Sequence, residues 1–280
     1  MPTPLTDPEI AAAVAYLPPV SAVLQRILKV LSDPHAPIED IGRLVRAETG
    51  LAAQVLRMAN SAFFGLPNPA TSIDEAIQRL GVAEITRLVT VLGSRQLFLH
   101  PLRMYGLQAE VLWSHTLTVA VCAETLAIYA DADRNAAHLA GILHPVGMVA
   151  LERVSVARKI RPRPAAEPLQ EWETTQFGTD NAAIAARVLR HWQFPENLIG
   201  AVAGRYVPDD GGDARRPASL LHLASLLAEK LGHELPGERG RFRLTPERFN
   251  AAGVPWDAFS EAEAEASQNL ERTRALLQLA

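Results

Sequence analysis

Along most of this 280-residue chain, apolar side chains recur at intervals of three and four, and strict apolar–polar alternation is nearly absent. Such spacing lines one side of a helix and gives a strand no consistent inner face. The pattern therefore predicts an all-α fold built from amphipathic helices. After Pro18-Pro19, the residues Val20, Val23, Leu24, Ile27, Leu28 and Leu31 form one stripe. Asp33-Pro34 ends it, because a proline disfavours helical backbone in the residue before it. Pro37 suits a helix start, where no amide donor is needed, and Ile38, Ile41, Leu44 and Val45 follow. A third helix after Gly50 carries Leu51, Val55, Leu56 and Met58, and 63–69, with two prolines and a glycine, reads as a loop. Ser72-Ile73-Asp74-Glu75 has the form of a capping box, and Gly81 is placed to end the helix it opens. Val82, Ile85, Leu88, Val89 and Leu92 mark the next buried stripe.

His100-Pro101 interrupts the pattern, which resumes with longer helices near 107–130, 134–153, 180–192, 196–204 and 217–231. Two irregular connectors fall between them, a proline-rich one at 161–168 and an acidic, glycine-rich one at 208–213. After Gly232 come a polar link, an apolar cluster of Leu244, Phe249, Val254, Trp256 and Phe259, and a final helix near 256–278 that is expected to pack on the second half. Three parts are expected: an N-terminal helical lobe, 1–104; a second helical lobe, 105–232; and a C-terminal appendage, 233–280.

The formal net charge of −4 gives no general attraction to nucleic acid or anionic membrane, and none of the periodic segments offers a basic recognition helix for DNA. Cys122 is the only cysteine, so an intramolecular disulfide and a cysteine cluster for zinc are excluded. Its apolar neighbours suit a small core side chain better than a reactive thiolate. The N-terminal residues lack the basic and apolar regions of a signal peptide, and no run approaches the roughly 18 apolar residues of a membrane span. A cytoplasmic location is expected. Neither phosphate-binding glycine pattern is present, so no nucleotide cofactor is expected, and Ser61 and Ser94 lack a nucleophile elbow.

Two histidines stand out. His115, in Leu112-Trp113-Ser114-His115-Thr116, lies early in one long helix, and His144, in Gly141-Ile142-Leu143-His144-Pro145, lies late in the next. A short turn between those helices can bring the imidazoles together, as the start of a metal site or as packed core side chains. Trp113 reads as a core aromatic and Phe63, Phe64 and Leu66 as loop anchors, with base stacking and docking as their alternatives. The basic run 158–163 reads as a solvated face or a contact for an acidic partner.

Larger blocks resemble a known family. Leu17-Pro18-Pro19-Val20, Leu31-Ser32-Asp33-Pro34, 56–65 with Ala59-Asn60-Ser61-Ala62, and 72–81 follow the opening of an HDOD domain. Trp113-Ser114-His115 and Gly141-Ile142-Leu143-His144 are similar to its second part, which is related to the HD phosphohydrolases; the likeness runs over 16–231. The resemblance implies a helical fold with an HD-like core and a role in bacterial two-component or cyclic-dinucleotide signalling. HD enzymes hold a divalent metal with a histidine, a His-Asp pair and a later aspartate. His115 matches the first histidine and His144 that of the pair, but Pro145 stands for its aspartate and Ser225 for the later one. Additional histidines of related proteins fall near Asn181 and near Arg205-Tyr206, and a common lysine is Met148 here. The resemblance thus implies a vestigial pocket of His115, His144, Pro145, Asn181 and Ser225, with no metal, no cofactor and no catalytic residue. It implies a non-catalytic regulatory module, similar in role to response-regulator outputs, whose partners are sensor kinases, receivers or cyclic-dinucleotide enzymes. No receiver pattern is found in the chain, so the input is expected from a separate partner. The alternative is a residual metal-dependent phosphohydrolase or nucleotide-binding protein.

Overall fold

The computed structural model describes residues 4–15, 17, 30, 38–61, 64–65, 67–207 and 212–278, and among these every regular element is helical. The one β pairing there is an isolated bridge between Leu102 and Leu107. The expected all-α class holds. The stripe 20–31 lies outside the described residues except for Val30, as do Phe63 and Leu66.

In the first lobe, α2 (Ile38–Ala47), α3 (Thr49–Ala59), α4 (Ile73–Leu80) and α5 (Val82–Ser94) enclose Val45, Val55, Ala59, Ile85 and Val89. Ser72 caps α4 by accepting from the Glu75 amide at 3.1 Å. Glu75 reaches back to Thr71, one residue before the cap, and accepts from its amide and hydroxyl. Gly81 closes α4 with φ +83°, a conformation that side chains disfavour. Asn60, from the family-like Ala-Asn-Ser stretch, both donates to and accepts from the Ala70 backbone, at 2.9 and 2.6 Å. One amide thereby pins both ends of the intervening loop.

A 3-10 turn (Arg95–Phe98) leads into the second lobe: α6 (Ala109–Tyr129), α7 (Arg134–Leu143), α8 (Val146–Arg158), α9 (Leu169–Phe177), α10 (Asn181–His191), α11 (Glu196–Ala203) and α12 (Arg215–Lys230). The expected continuous helix 134–153 is corrected to two helices broken at His144-Pro145. Proline has no amide to donate, and its ring collides with the carbonyl four residues back. Helix α9 sits directly after Pro168, in a stretch to which the sequence pattern assigns no element; it buries Leu169, Trp172, Glu173 and Phe177.

The first helix, α1 (Asp7–Ala15), is grouped by sequence with the N-terminal lobe, yet its Ile10, Ala13 and Val14 join the core of the second lobe, where it packs on α8. After α13 (Pro246–Ala252), α14 (Phe259–Gln278) runs along α6. Its Leu270 meets Val91, Leu117 and Val121, while Leu276 enters the first-lobe core. The last helix therefore packs on both lobes. Helix α6 and the stretch 134–158 are apolar and long enough to cross a bilayer by composition, against the expectation from sequence. Within the protein 72% and 89% of those windows are buried, so their apolar surface is spent on the core.

Two glycines set how closely this core packs. A Cβ at Gly141 would fall 2.3 Å from Ala120 Cα on α6, and one at Gly147 would fall 1.9 Å from the Asn181 carbonyl on α10. Both clashes are with backbone, which cannot swing aside as a side chain can. Gly147→Ala should destabilise the protein by roughly 3 kcal/mol or prevent folding. Gly50→Ala, with nothing within 4 Å of its added methyl, should change stability little. Urea unfolding midpoints of the two variants test this, and equal midpoints would contradict it.

Candidate functional site

The break at Pro145 turns His144 inward at the end of α7, opposite His115 near the start of α6. The Nε2 atoms of the two imidazoles face each other at 3.1 Å, with both rings about 1% exposed. His115 Nδ1 lies 2.6 Å from the His233 carbonyl and His144 Nδ1 lies 2.7 Å from the Gly141 carbonyl. A carbonyl only accepts, so each Nδ1 carries the proton and each Nε2 presents a lone pair. Metal-binding histidines are oriented in the same way.

The remaining ligand positions do not complete a centre. Pro145 is buried at the start of α8 without a donor atom in its side chain. Ser225 spends its hydroxyl on its own helix, donating to the Leu221 carbonyl at 2.9 Å. Among the described residues no group of three or more His, Cys, Asp or Glu side chains is placed to hold a metal. A hard divalent cation needs oxygen ligands that this pair of imidazoles lacks. The residues present do not fit the metal that the HD resemblance implies.

A guanidinium occupies the neighbourhood instead. Arg205, 1% exposed, forms an ion pair with Glu238, 2% exposed, and donates to the Tyr206 hydroxyl. Its planar group lies 4.4 Å from the centre of the Tyr206 ring and 5.2 Å from that of Phe242. Tyr206 in turn donates to Glu238 and accepts from Asn181 Nδ2 at 2.8 Å. Asn181 also donates to Glu173 through its amide and side chain, at 2.8 and 2.9 Å, and Tyr105 donates to the other Glu173 oxygen at 2.8 Å. A buried polar chain thus runs from Tyr105 through Glu173, Asn181 and Tyr206 to Glu238 and Arg205.

The titration behaviour follows from this arrangement. Burial pushes His115 down to about 4, with Arg205 adding to the effect against an opposing pull from Glu238. Burial, then Arg205 and His115, hold His144 well below its ordinary value. Burial alone would raise Glu238, but Arg205 beside it keeps the carboxyl below its usual range. Glu173 has no cation in contact, and burial lifts it to about 8 despite its hydrogen bonds from Asn181 and Tyr105. An arginine cannot shed its charge, so the same repulsion that depresses the imidazoles acts on any metal cation brought between them.

The irregular link 233–243 packs over the histidine pair and the buried polar chain. The His233 carbonyl accepts from His115, the Arg243 amide donates to His222 Nε2 at 3.2 Å, and Phe242 packs on both Tyr206 and His222. Of the residues singled out by sequence, His115 and His144 meet, and Asn181 joins the polar chain that ends at Arg205. No hydrogen bond joins Ser225 to either imidazole among the described residues. Trp113 is partly buried and stacks on Phe98 at 6.2 Å. Cys122 is fully buried, which raises its thiol far above the ordinary value and leaves it inert. The roles of Glu173, Glu238 and His233 were not legible from spacing. The one available signal is the resemblance, which implies a histidine near Arg205-Tyr206 where this chain has none.

These features define a helical core in which two facing imidazoles lie within reach of the charge of the buried Arg205–Glu238 pair. An HDOD domain model matches residues 17–208, more than half of the chain, and the chain belongs to the HDOD family. An uncharacterized protein of Treponema pallidum (strain Nichols) is 22% identical over 249 residues, 82% of this chain; the chain spans 45% of that relative's length. Among solved structures, a proposed signal transduction protein from Marinobacter aquaeolei VT8 is 21% identical with a TM-score of 0.72, covering 97% of this chain and 65% of its own. A proposed phosphohydrolase from Shewanella amazonensis SB2B is 22% identical with a TM-score of 0.69, covering 97% and 98%. At these identities the structural likeness establishes the fold.

Removing one member of the buried pair should cost more than removing both. Glu238→Leu leaves a buried guanidinium without its counter-charge and should lower stability by about 3–5 kcal/mol. Adding Arg205→Met should recover part of that loss, as read by urea unfolding; a double variant weaker than the single would contradict it. Stability should also decline on both sides of a middle pH. His115 titrates lower in the folded protein than its ordinary 6.5, so its contribution is complete above that value and is lost as pH falls through about 4. Glu173 titrates higher than its ordinary 4.5, so its contribution is complete below that value and is lost as pH rises through about 8. Glu173→Gln, which mimics the protonated carboxyl, should remove most of the alkaline decline. An unchanged slope between pH 5 and 8 in unfolding midpoints, a window within the ordinary and shifted values of Glu173, would count against it.

Proposed function

We propose that this HDOD chain is a non-catalytic signal-transduction module that acts by contact with other proteins, in a two-component or cyclic-dinucleotide signalling system. The observation that carries this reading is the buried Arg205–Glu238 pair beside His115 and His144, with Pro145 and Ser225 at the positions of the metal-binding aspartates. Hydrolysis of a phosphodiester in an HD pocket requires a cation to polarise the phosphate and a base to prepare water. Here the guanidinium of Arg205, paired with Glu238, sets its charge near the imidazoles, and no side-chain carboxylate stands at Pro145 or Ser225 to share a metal with them. The names of the structural relatives point both ways, to signalling and to phosphohydrolysis, so the ligand set carries the choice.

The second reading, a residual phosphohydrolase or nucleotide-binding protein, is favoured by one feature. The two Nε2 lone pairs still converge at 3.1 Å with both Nδ1 atoms anchored to carbonyls. The two readings separate in a paired assay on wild type and His115→Ala. Under the regulatory reading, purified protein holds substoichiometric metal and hydrolyses neither cyclic dinucleotides nor nucleotides with magnesium, manganese, zinc or iron. The variant then loses stability by about 1–3 kcal/mol, through the buried hydrogen bond to His233. Metal-dependent turnover by wild type that vanishes in a fully folded variant would reject the regulatory reading.

A further inference from the structure

We propose that the groove between the lobe junction and α8 is a docking site for an acidic, apolar-anchored segment of a partner protein; this rests on the regulatory reading and names the surface through which it operates. The groove has a volume of about 360 Å³. Its floor is Leu97, Leu102 and Val149, all buried, and Val156 stands on its wall at 60% exposure. Leu99, next to the lining residue His100, is 53% exposed. These are among the most exposed large aliphatic side chains of a molecule that otherwise hides them.

The rim is cationic. His100, Arg103 and Arg153 line it, and among the described residues none of their side chains has a hydrogen bond or an ion pair. The one carboxylate there, Glu152, is 9% exposed, and its two oxygens accept from the backbone amides of Arg103 and Met104 at 2.9 and 3.0 Å. It is committed to holding the junction loop. Of the basic run that follows on α8, Arg158 pairs with Glu9 and Arg163 is buried against backbone carbonyls, while Lys159 and Arg161 stay exposed. The chain as a whole carries −4, so this rim runs against the overall sign. With the buried Glu152 as the one carboxylate among the lining residues to offset them, Arg103 and Arg153 leave a net positive rim around an apolar floor, complementary to carboxylates interleaved with aliphatic side chains. Nucleic acid would use the cations and leave the apolar floor idle.

The position gives such contact a consequence. The groove joins the segment between the lobes to α8, whose first residue follows Pro145 and the His115–His144 pair.

The test uses the full chain and fluorescence anisotropy with a labelled amphipathic peptide of leucine and glutamate. A leucine and lysine peptide, oligothymidylate and phosphatidylglycerol vesicles serve as the other arms. The expected result is saturable binding of the glutamate peptide that weakens as salt rises, with the other arms binding at least tenfold more weakly. Arg103→Glu combined with Arg153→Glu should weaken it at least tenfold, and so should Val156→Glu alone, a solvent-facing change that keeps the proposal testable if the double variant folds poorly. Arg239→Glu, outside the groove, should leave it unchanged. No binding of the glutamate peptide, binding indifferent to these changes, or oligothymidylate or vesicles binding equally well at the same residues would overturn the proposal. Because this readout is independent of metal and turnover, failure here leaves the hydrolysis assay to decide the regulatory reading separately.

Discussion

A guanidinium with almost no contact with water is the feature around which the second lobe is organised. Arg205 cannot escape the cost of burial by losing its proton, so the fold must supply compensation. It does so with the Glu238 carboxylate, the faces of Tyr206 and Phe242, and a hydroxyl that also serves Asn181. The imidazoles beside it stay neutral for the same reason. The positive charge that acts on these imidazoles belongs to a side chain paired with Glu238.

That balance depends on a segment far from the pocket in sequence. Glu238 lies 33 residues beyond Arg205, past the end of the matched HDOD region at 208. The link that carries it also brings the His233 carbonyl to His115 and Phe242 to Tyr206 and His222. The appendage is thus joined to the second lobe by charge as well as by packing. Stripping it away would strand a cation in an apolar core, a larger penalty than exposure of the same area of apolar surface.

Helical periodicity and end signals were legible in the sequence because they are local: Ser72 and Gly81 bound their helix as the spacing indicates. The break at Pro145 was overlooked because the apolar stripe continues through it, although proline cannot sustain the helical hydrogen bond. Helix α9 was hidden by prolines on its N-terminal side, which mark where a helix begins as readily as where a loop runs. The departures from the ligand set that the HD resemblance implies could be read position by position at Pro145 and Ser225. The burial of Glu238 against Arg205 could not, since a glutamate in the glycine-rich link Leu235-Pro236-Gly237-Glu238-Arg239-Gly240 looks like a solvated charge. Its burial follows from a contact that only the tertiary fold creates.

The same non-local packing ties the two lobes into a unit suited to transmitting a contact. Val91 from α5, Leu117 and Val121 from α6 and Leu270 from α14 meet in one small cluster, and Arg87 on α5 donates to Thr273 on α14 at 2.7 Å. Three elements from the first lobe, the second lobe and the appendage therefore share one interface. Interiors packed at this density move between discrete arrangements more readily than they stretch. A displacement of α14 along α6 would have to carry Leu276 out of its place in the first-lobe core, and α6 begins close to His115. Because α6 carries Leu117 and Val121 of this cluster as well as His115 of the buried histidine pair, the lobe interface and the second-lobe pocket are built on one helix.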